Sequence, residues 1–85
     1  MSEPRFWNRN GTRTAYALAC GYKEIENTKT GGKIELFYES EHYHVQFIPL
    51  ENREKFGALY LNGSKWEVFE LLTDARKAYK HYKGL

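Results

Sequence analysis

The chain has 85 residues, of which 41% are hydrophobic and 16% are aromatic. This composition is too apolar for a disordered chain, and the length allows one domain with a single core. The net charge of +2 neither requires nor excludes nucleic acid as a partner. We predict one domain at residues 13–85, preceded by an N-terminal arm at residues 1–12, where Pro4 and Asn10-Gly11 discourage regular structure.

The cysteine content and the N-terminus predict a cytoplasmic protein. Cys20 is the single cysteine, so no intrachain disulfide can form, and a reducing compartment fits best. The N-terminus lacks the apolar core of a signal peptide, and no apolar run approaches the roughly 18 residues of a membrane span. We therefore expect no contact with a membrane.

Residues 14–26 alternate large and small side chains, a pattern that favours a strand. The large side chains would share one face, and the alanines would occupy the other. The alternation changes phase between Tyr22 and Ile25. We predict that a β-bulge at Gly21 absorbs this change.

Residues 33–39 and 43–48 give the clearest pair of strands, joined by a short turn. Residues 27–32 are rich in turn formers and predict the preceding connection. The opposite face of this hairpin is mostly polar, but Phe37 and Ile48 lie on it as either incidental apolar groups or the start of a contact patch. One face should be apolar throughout, and its residues are Ile34, Leu36, Tyr38, Tyr43, Val45 and Phe47.

Two interpretations describe how the last helix begins. Apolar side chains from Trp66 to Tyr82 recur at steps of three and four, and Ser64 and Glu67 have the spacing of a capping box, so we predict a helix from near Lys65. The alternative keeps residues 65–69 as a strand and begins the helix at Thr73. In the first interpretation residues 57–61, a short apolar run, supply the fourth strand.

Together these elements predict an α+β fold. An antiparallel meander of three or four strands would pack one apolar face against one C-terminal α-helix, giving the order ββββα. The helix stripe needs an apolar surface to cover it, and the inner face of the central hairpin offers one. The aromatic residues beyond this core are either further core pieces or a contact surface.

No pattern in the sequence indicates catalysis or metal binding. Cys20 lies among apolar neighbours, where a thiol normally stays protonated. His42 and His44 are two residues apart, but a metal site needs three or four convergent ligands, and no third is identifiable. We predict a protein that is not an enzyme and that binds no metal or cofactor.

Nucleic acid binding is an alternative function. The stretch FELLTDARKAY, residues 69–79, resembles the strand-to-helix transition of AP2-type and integrase arm-type domains, which implies a sheet placed against a DNA groove. Glu35 and Glu39 on the outer face oppose that docking because they repel phosphates. The expected nucleic-acid surface is therefore the basic end of the helix with two N-terminal arginines, namely Arg76, Lys77, Lys80, Lys83, Arg9 and Arg13.

The leading prediction is a small non-enzymatic protein-interaction module, of the adaptor or inhibitor type, with an unidentified protein as partner. Aromatic side chains supply contact area at low entropic cost. A homodimer formed through paired sheet edges or outer faces is a second alternative. A phage or a mobile element would be a fitting source for a module of this size. The predicted partner-binding residues are Phe6, Trp7, Phe37, His44 and Ile48.

Overall fold

The structure is a computed structural model that describes residues 6–85, and residues 1–5 of the predicted arm lie outside the described residues. Its helices and strands are α1 (Ala15–Ala19), β1 (Glu24–Asn27), β2 (Lys33–Glu39), β3 (His42–Ile48), β4 (Lys65–Phe69) and α2 (Leu72–Lys83). The strands form one antiparallel sheet in the order β1-β2-β3-β4. The predicted α+β fold, a four-stranded antiparallel meander followed by a C-terminal helix, is confirmed.

The hairpin of β2 and β3 forms the centre of the sheet, as the alternation predicts. Ile34 pairs with Phe47 and Leu36 pairs with Val45, and these four side chains are buried on one face. The connecting turn has two residues, both with positive φ, which matches the type I′ geometry that suits the twist of a hairpin. The inner face of this hairpin is therefore the floor of the core.

Helix α2 packs across this floor and bonds to both edge strands. Ala75, Tyr79 and Tyr82 are buried, and the ring of Tyr82 stacks on Phe47 with centroids 5.1 Å apart. The hydroxyl of Tyr79 donates to a carboxylate of β1, and the hydroxyl of Tyr82 donates to Glu67 of β4. Burial, together with the hydrogen bond to Glu67, raises the pKa of Tyr82 to about 12.

The prediction of one strand across residues 14–26 is wrong. The first part forms the short helix α1, because the Thr14 side chain accepts from the backbone N–H of Ala17 and caps it. Gly21 is not a bulge but the left-handed residue that ends α1, with φ of 102°. Its N–H bonds back to Leu18, and the next N–H bonds back to Ala17, which is a Schellman motif.

The prediction that the last helix begins near Lys65 is also wrong. Residues 65–69 are β4, as in the alternative interpretation, and α2 begins at Leu72. The segment alternates its side chains between the sheet faces, and its backbone supplies the second edge of β3 with hydrogen bonds. Ser64 does not form a capping box, because its hydroxyl donates to the carbonyl of Ala58.

Residues 57–61 are not a strand. They contain a short 3₁₀ helix, Ala58–Tyr60, that follows Gly57 in a left-handed conformation with φ of 68°. A second 3₁₀ helix, Leu50–Asn52, lies earlier in the same connection between β3 and β4. The side chain of Asn52 is buried and donates to the carbonyl of Asn62, which holds the two ends of this connection together.

Gly32→Ala should lower the free energy of unfolding by roughly 1–3 kcal/mol, the usual range for overpacking. A Cβ there would lie 2.6 Å from the carbonyl oxygen of Ile48 and 3.1 Å from Cα of Pro49, both backbone atoms that cannot move aside cheaply. Thermal unfolding measures the effect. Gly84→Ala is the matched control, since its nearest neighbour, the carbonyl oxygen of His81, would be 3.6 Å away. Equal stability of the two variants would contradict the packing around Gly32.

Candidate functional site

The face of the sheet opposite α2 carries a set of large side chains that we call the outer-face patch. In the strand register Phe37 lies opposite His44, and His44 lies opposite Val68, so the three form a row across the sheet. Trp66 is beside this row on β4, and Tyr60 contacts it with ring centroids 6.5 Å apart. The exposed fractions are 47% for Trp66, 50% for Val68 and 81% for Tyr60.

His44 fixes the orientation of the patch. Its ring stacks on Phe37 with centroids 4.9 Å apart and planes 2° from parallel. The indole Nε1 of Trp66 lies 3.1 Å from His44 Nδ1, and since an indole N–H only donates, Nδ1 must accept. The other ring nitrogen, Nε2, then carries the proton and donates to the carbonyl of Glu39 at 2.9 Å. These bonds require the neutral imidazole with its proton on Nε2.

Phe37 supports this patch from below. It lies on the outer face, as predicted, but its ring is only 7% exposed. The imidazole of His44 covers one side, and Nζ of Lys23 lies 4.7 Å from the ring centroid. A partner would therefore contact Trp66 and Val68 first, and Phe37 would hold His44 in place beneath them.

The other predicted partner-binding residues lie apart from this patch. Ile48 is four positions beyond His44 on β3, a distance of about 13 Å at the usual strand rise. Phe6 packs against the rings of Tyr16 and Tyr22, and Trp7 is 54% exposed in the arm. Of the five predicted residues, only Phe37 and His44 belong to the outer-face patch.

The exposed members of the patch were not predicted as binding residues. The prediction of a longer helix places Trp66 in its buried stripe, and the prediction of a strand at residues 57–61 leaves Tyr60 within the sheet. The signal that identifies Trp66 and Val68 is the alternation in residues 65–69, where every second side chain points away from the core. Assigning this segment as a strand places both residues on the outer face.

A second candidate site, which we call the arm groove, lies where the arm approaches β1 and α2. It consists of two adjoining cavities of about 440 Å³ and 320 Å³. Among the predicted nucleic-acid residues, four line the groove, whereas Arg9 and Lys77 are exposed outside it. The four are Arg13, Arg76, Lys80 and Lys83.

Glu24 is the buried centre of this region. It is 3% exposed, and its Oε1 accepts from the backbone N–H of Arg13 at 2.8 Å and from Arg76 Nη1 at 2.7 Å. Arg76 also donates to the carbonyl of Arg13. One carboxylate and one guanidinium thus join Arg13, the residue directly after the arm, to β1 and α2. Within residues 6–85, Oε2 of Glu24 and Nε of Arg13 are buried without a hydrogen-bond partner.

Glu26 forms a second link between β1 and α2. Its carboxylate lies 2.7 Å from Lys83 Nζ and accepts from the Tyr79 hydroxyl at 2.8 Å. Burial acts to raise the pKa of Glu26, but the hydrogen bonds from Lys83 and Tyr79 and the charge of Lys83 outweigh it. The pKa of Glu26 is therefore held below its ordinary value.

We expect this link to make the fold less stable in acid. A carboxyl whose pKa is lower in the folded state stabilises the fold above its unfolded pKa, roughly 4.3 for Glu, and the effect is lost as the pH falls through the folded pKa. Glu26→Gln should therefore lose less unfolding free energy than the wild type on acidification below that value. Urea unfolding at a series of pH values measures the difference, and parallel curves would contradict a net contribution from Glu26.

The ion pairs reduce the charge available to nucleic acid. Arg76 is neutralised by Glu24, and Lys83 is neutralised by Glu26. The guanidinium of Arg13 lies 3.8 Å from the ring centroid of Trp7, so its position is already set by the arm. Of the six predicted cations, two are therefore neutralised, and four have no ion pair with a described residue.

Three further observations bear on function. Within the described part of the chain, no three His, Cys, Asp or Glu side chains are placed to hold a metal ion. No helix among residues 6–85 has the length and apolar character that a membrane span requires. Comparison of the chain with known protein families, with curated proteins and with solved structures gave no match.

Proposed function

We propose that the protein is a small non-enzymatic module that binds another protein through the outer-face patch. The observation that carries this proposal is that Trp66 and Val68 are exposed on a sheet face, with Tyr60 exposed beside them, and that no other part of the described chain forms a second layer over this face. Contiguous exposed apolar groups of this kind mark contact surfaces more often than isolated ones do. A cytoplasmic location fits the single free cysteine, Cys20.

The side chains of the outer-face patch are already ordered in the absence of a partner. Trp66 is held by His44, and His44 is held by the Phe37 ring and by the carbonyl of Glu39. A side chain that is already ordered loses little conformational entropy when it enters an interface. Tryptophan is also the residue type most enriched among those that dominate binding energy. Trp66 is therefore the proposed anchor of the interface.

The charges around the patch favour a protein over nucleic acid. Glu35 and Glu39 lie on the same face, and Lys33 is 3.8 Å from Glu35 and so is partly neutralised. A surface that stacks bases must also neutralise phosphates, and this face offers few free cations for that purpose. A protein partner needs no such excess of positive charge.

Site-specific cross-linking in the native host tests this proposal. A photoreactive phenylalanine analogue at Val68 should give a discrete, nuclease-resistant adduct with another protein. The same analogue at Tyr16, which is 52% exposed on α1, is the control and should give none. The Val68 position is preferred to Trp66 because it leaves the proposed anchor in place.

Each other outcome would contradict the proposal. An adduct that nuclease removes would assign the patch to nucleic acid. An adduct of twice the chain's 10.1 kDa would assign it to a homodimer. Equal labelling from Val68 and Tyr16, or none from Val68, would show that the patch binds no protein partner.

A further inference from the structure

The arm groove exposes the free edge of the sheet. The strand order places β1 at one edge, so within residues 6–85 one row of its backbone N–H and C=O groups has no strand partner. Residues 23–26 line the larger cavity in succession. Three of these residues, Glu24, Ile25 and Glu26, are consecutive in β1, and since the side chains of a strand alternate between its two faces, the groove meets the strand edge-on.

Two buried polar atoms beside this edge lack partners. Oε2 of Glu24 and Nε of Arg13 make no hydrogen bond within the described residues, although both side chains line the larger cavity. Buried polar atoms in folded proteins are nearly always paired, so this wall has unused hydrogen-bonding capacity, but both atoms are enclosed and a ligand reaches them only if the side chains turn toward the groove. The accessible groups here are those of the β1 edge, and a peptide backbone supplies the complementary carbonyl and N–H groups at regular spacing.

The positive charge of the arm groove favours acidic peptides over basic ones. Its two acidic side chains, Glu24 and Glu26, are each bonded to a cation. Three further cations line it, and within residues 6–85 none of them has an acidic side chain within 4.0 Å. They are Arg13, Lys23 and Lys80. The groove therefore carries an excess of positive charge that is complementary to an acidic segment.

We infer that the arm groove binds an extended acidic peptide segment, which adds as a further strand to the free edge of β1. Backbone hydrogen bonds to β1 would give affinity, and carboxylates beside Lys23 and Lys80 would give selectivity. Ile25 is 52% exposed on the outer face and Trp7 is 54% exposed, and both line the groove, so apolar side chains of the peptide have contacts as well.

The test begins with a displayed library of short random linear peptides, sorted for binding to the full chain. The strongest binder is synthesised in three forms: unchanged, with each Asp and Glu replaced by its amide, and with alternate backbone nitrogens methylated. Fluorescence polarisation gives the affinity of each form, and amide chemical shifts locate the site. We expect an acidic binder that weakens in both altered forms and that shifts residues 10–13 and 23–27.

Two variants separate the groove from the rest of helix α2. Lys80→Glu should weaken the acidic peptide by about tenfold, because a favourable charge contact becomes a repulsive one. Lys77→Glu makes the same charge change outside the groove and should leave the affinity within about twofold. Both side chains are exposed and form no ion pair with a described residue, so neither change should impair folding.

The inference is overturned by any of several results. Equal binding of the methylated peptide would show that no strand is added. Full competition by a small dicarboxylate would assign the groove to a small anion. Binding lost with Val68→Ser but kept with Lys80→Glu would place the peptide on the outer-face patch, and a library without acidic binders would remove the inference altogether.

Discussion

Arg76→Met is expected to lower the free energy of unfolding by about 3 kcal/mol, as in other cases where one member of a buried ion pair is removed. The change leaves the carboxylate of Glu24, which is 3% exposed, without its 2.7 Å partner. It also removes the donor to the carbonyl of Arg13, so the residue that follows the arm loses its bond to α2. Urea unfolding followed by circular dichroism measures the loss.

Lys77→Met is the matched control for this prediction. It removes a charge from the same helix at an exposed position with no ion pair to a described residue, and should change stability by no more than about 0.5 kcal/mol. Adding Glu24→Gln to Arg76→Met should recover part of the loss, because a neutral amide is less costly to bury than a lone carboxylate. Equal losses for Arg76→Met and Lys77→Met would contradict the role given to Glu24.

Leu36→Ala should lower the free energy of unfolding by about 3 kcal/mol, within the range of large-to-small changes in a core. Leu36 is fully buried under α2, opposite Val45. Val68→Ala removes a smaller apolar group from the outer face, where the side chain is 50% exposed, and should change stability by less than about 1 kcal/mol. Thermal unfolding separates the two, because 1 kcal/mol shifts the midpoint of a domain this size by about 4–8 °C.

Comparing Leu36→Ala with Val68→Ala also tests whether the outer face of the sheet, opposite α2, is exposed in solution. If Val68→Ala were as destabilising as Leu36→Ala, the outer face would be buried in solution. A midpoint that rises with protein concentration would then identify a second copy of the chain as the cover. The exposure of Val68 predicts a small effect for Val68→Ala, and the proposal of a different protein as partner predicts no dependence on concentration.

The central hairpin could be predicted from the sequence because its apolar residues fit the two-residue period of a strand and not the 3.6-residue period of a helix. Ile34 and Leu36, with their partners on β3, alternate with residues of the other face that are polar except for Phe37 and Ile48. The same alternation was misleading in residues 14–26, where alanines gave a two-residue period to a helix. Thr14 and Gly21 were the better signals, since one caps α1 and the other ends it.

The start of α2 could not be decided from periodicity alone. Trp66, Phe69 and Leu72 fit a helical stripe, but Trp66 and Val68 also fit the outer face of a strand. Pairing with β3 decides the outcome, because a central strand needs hydrogen-bond partners on both sides. That requirement is visible only when the whole sheet is considered.

The two candidate sites differ in how far the sequence predicts them. Phe37 and His44 belong to one hairpin, so a correct register places them side by side. The arm groove depends on contacts between distant parts of the chain, such as Glu24 and Arg76, which are 52 positions apart. No local pattern indicates such a pair, and the charges of the helix end were therefore predicted to be free when two of them are neutralised.

The most direct test of the outer-face patch compares the affinity of the cross-linked partner for the wild type, Trp66→Ala and Tyr16→Ala by calorimetry. Tyr16 is an exposed aromatic residue outside the patch and serves as the matched control. Loss of the anchor should weaken binding by about 30-fold, a typical effect at a dominant interface residue, while Tyr16→Ala should bind like the wild type. Wild-type affinity in Trp66→Ala would contradict the proposed docking surface.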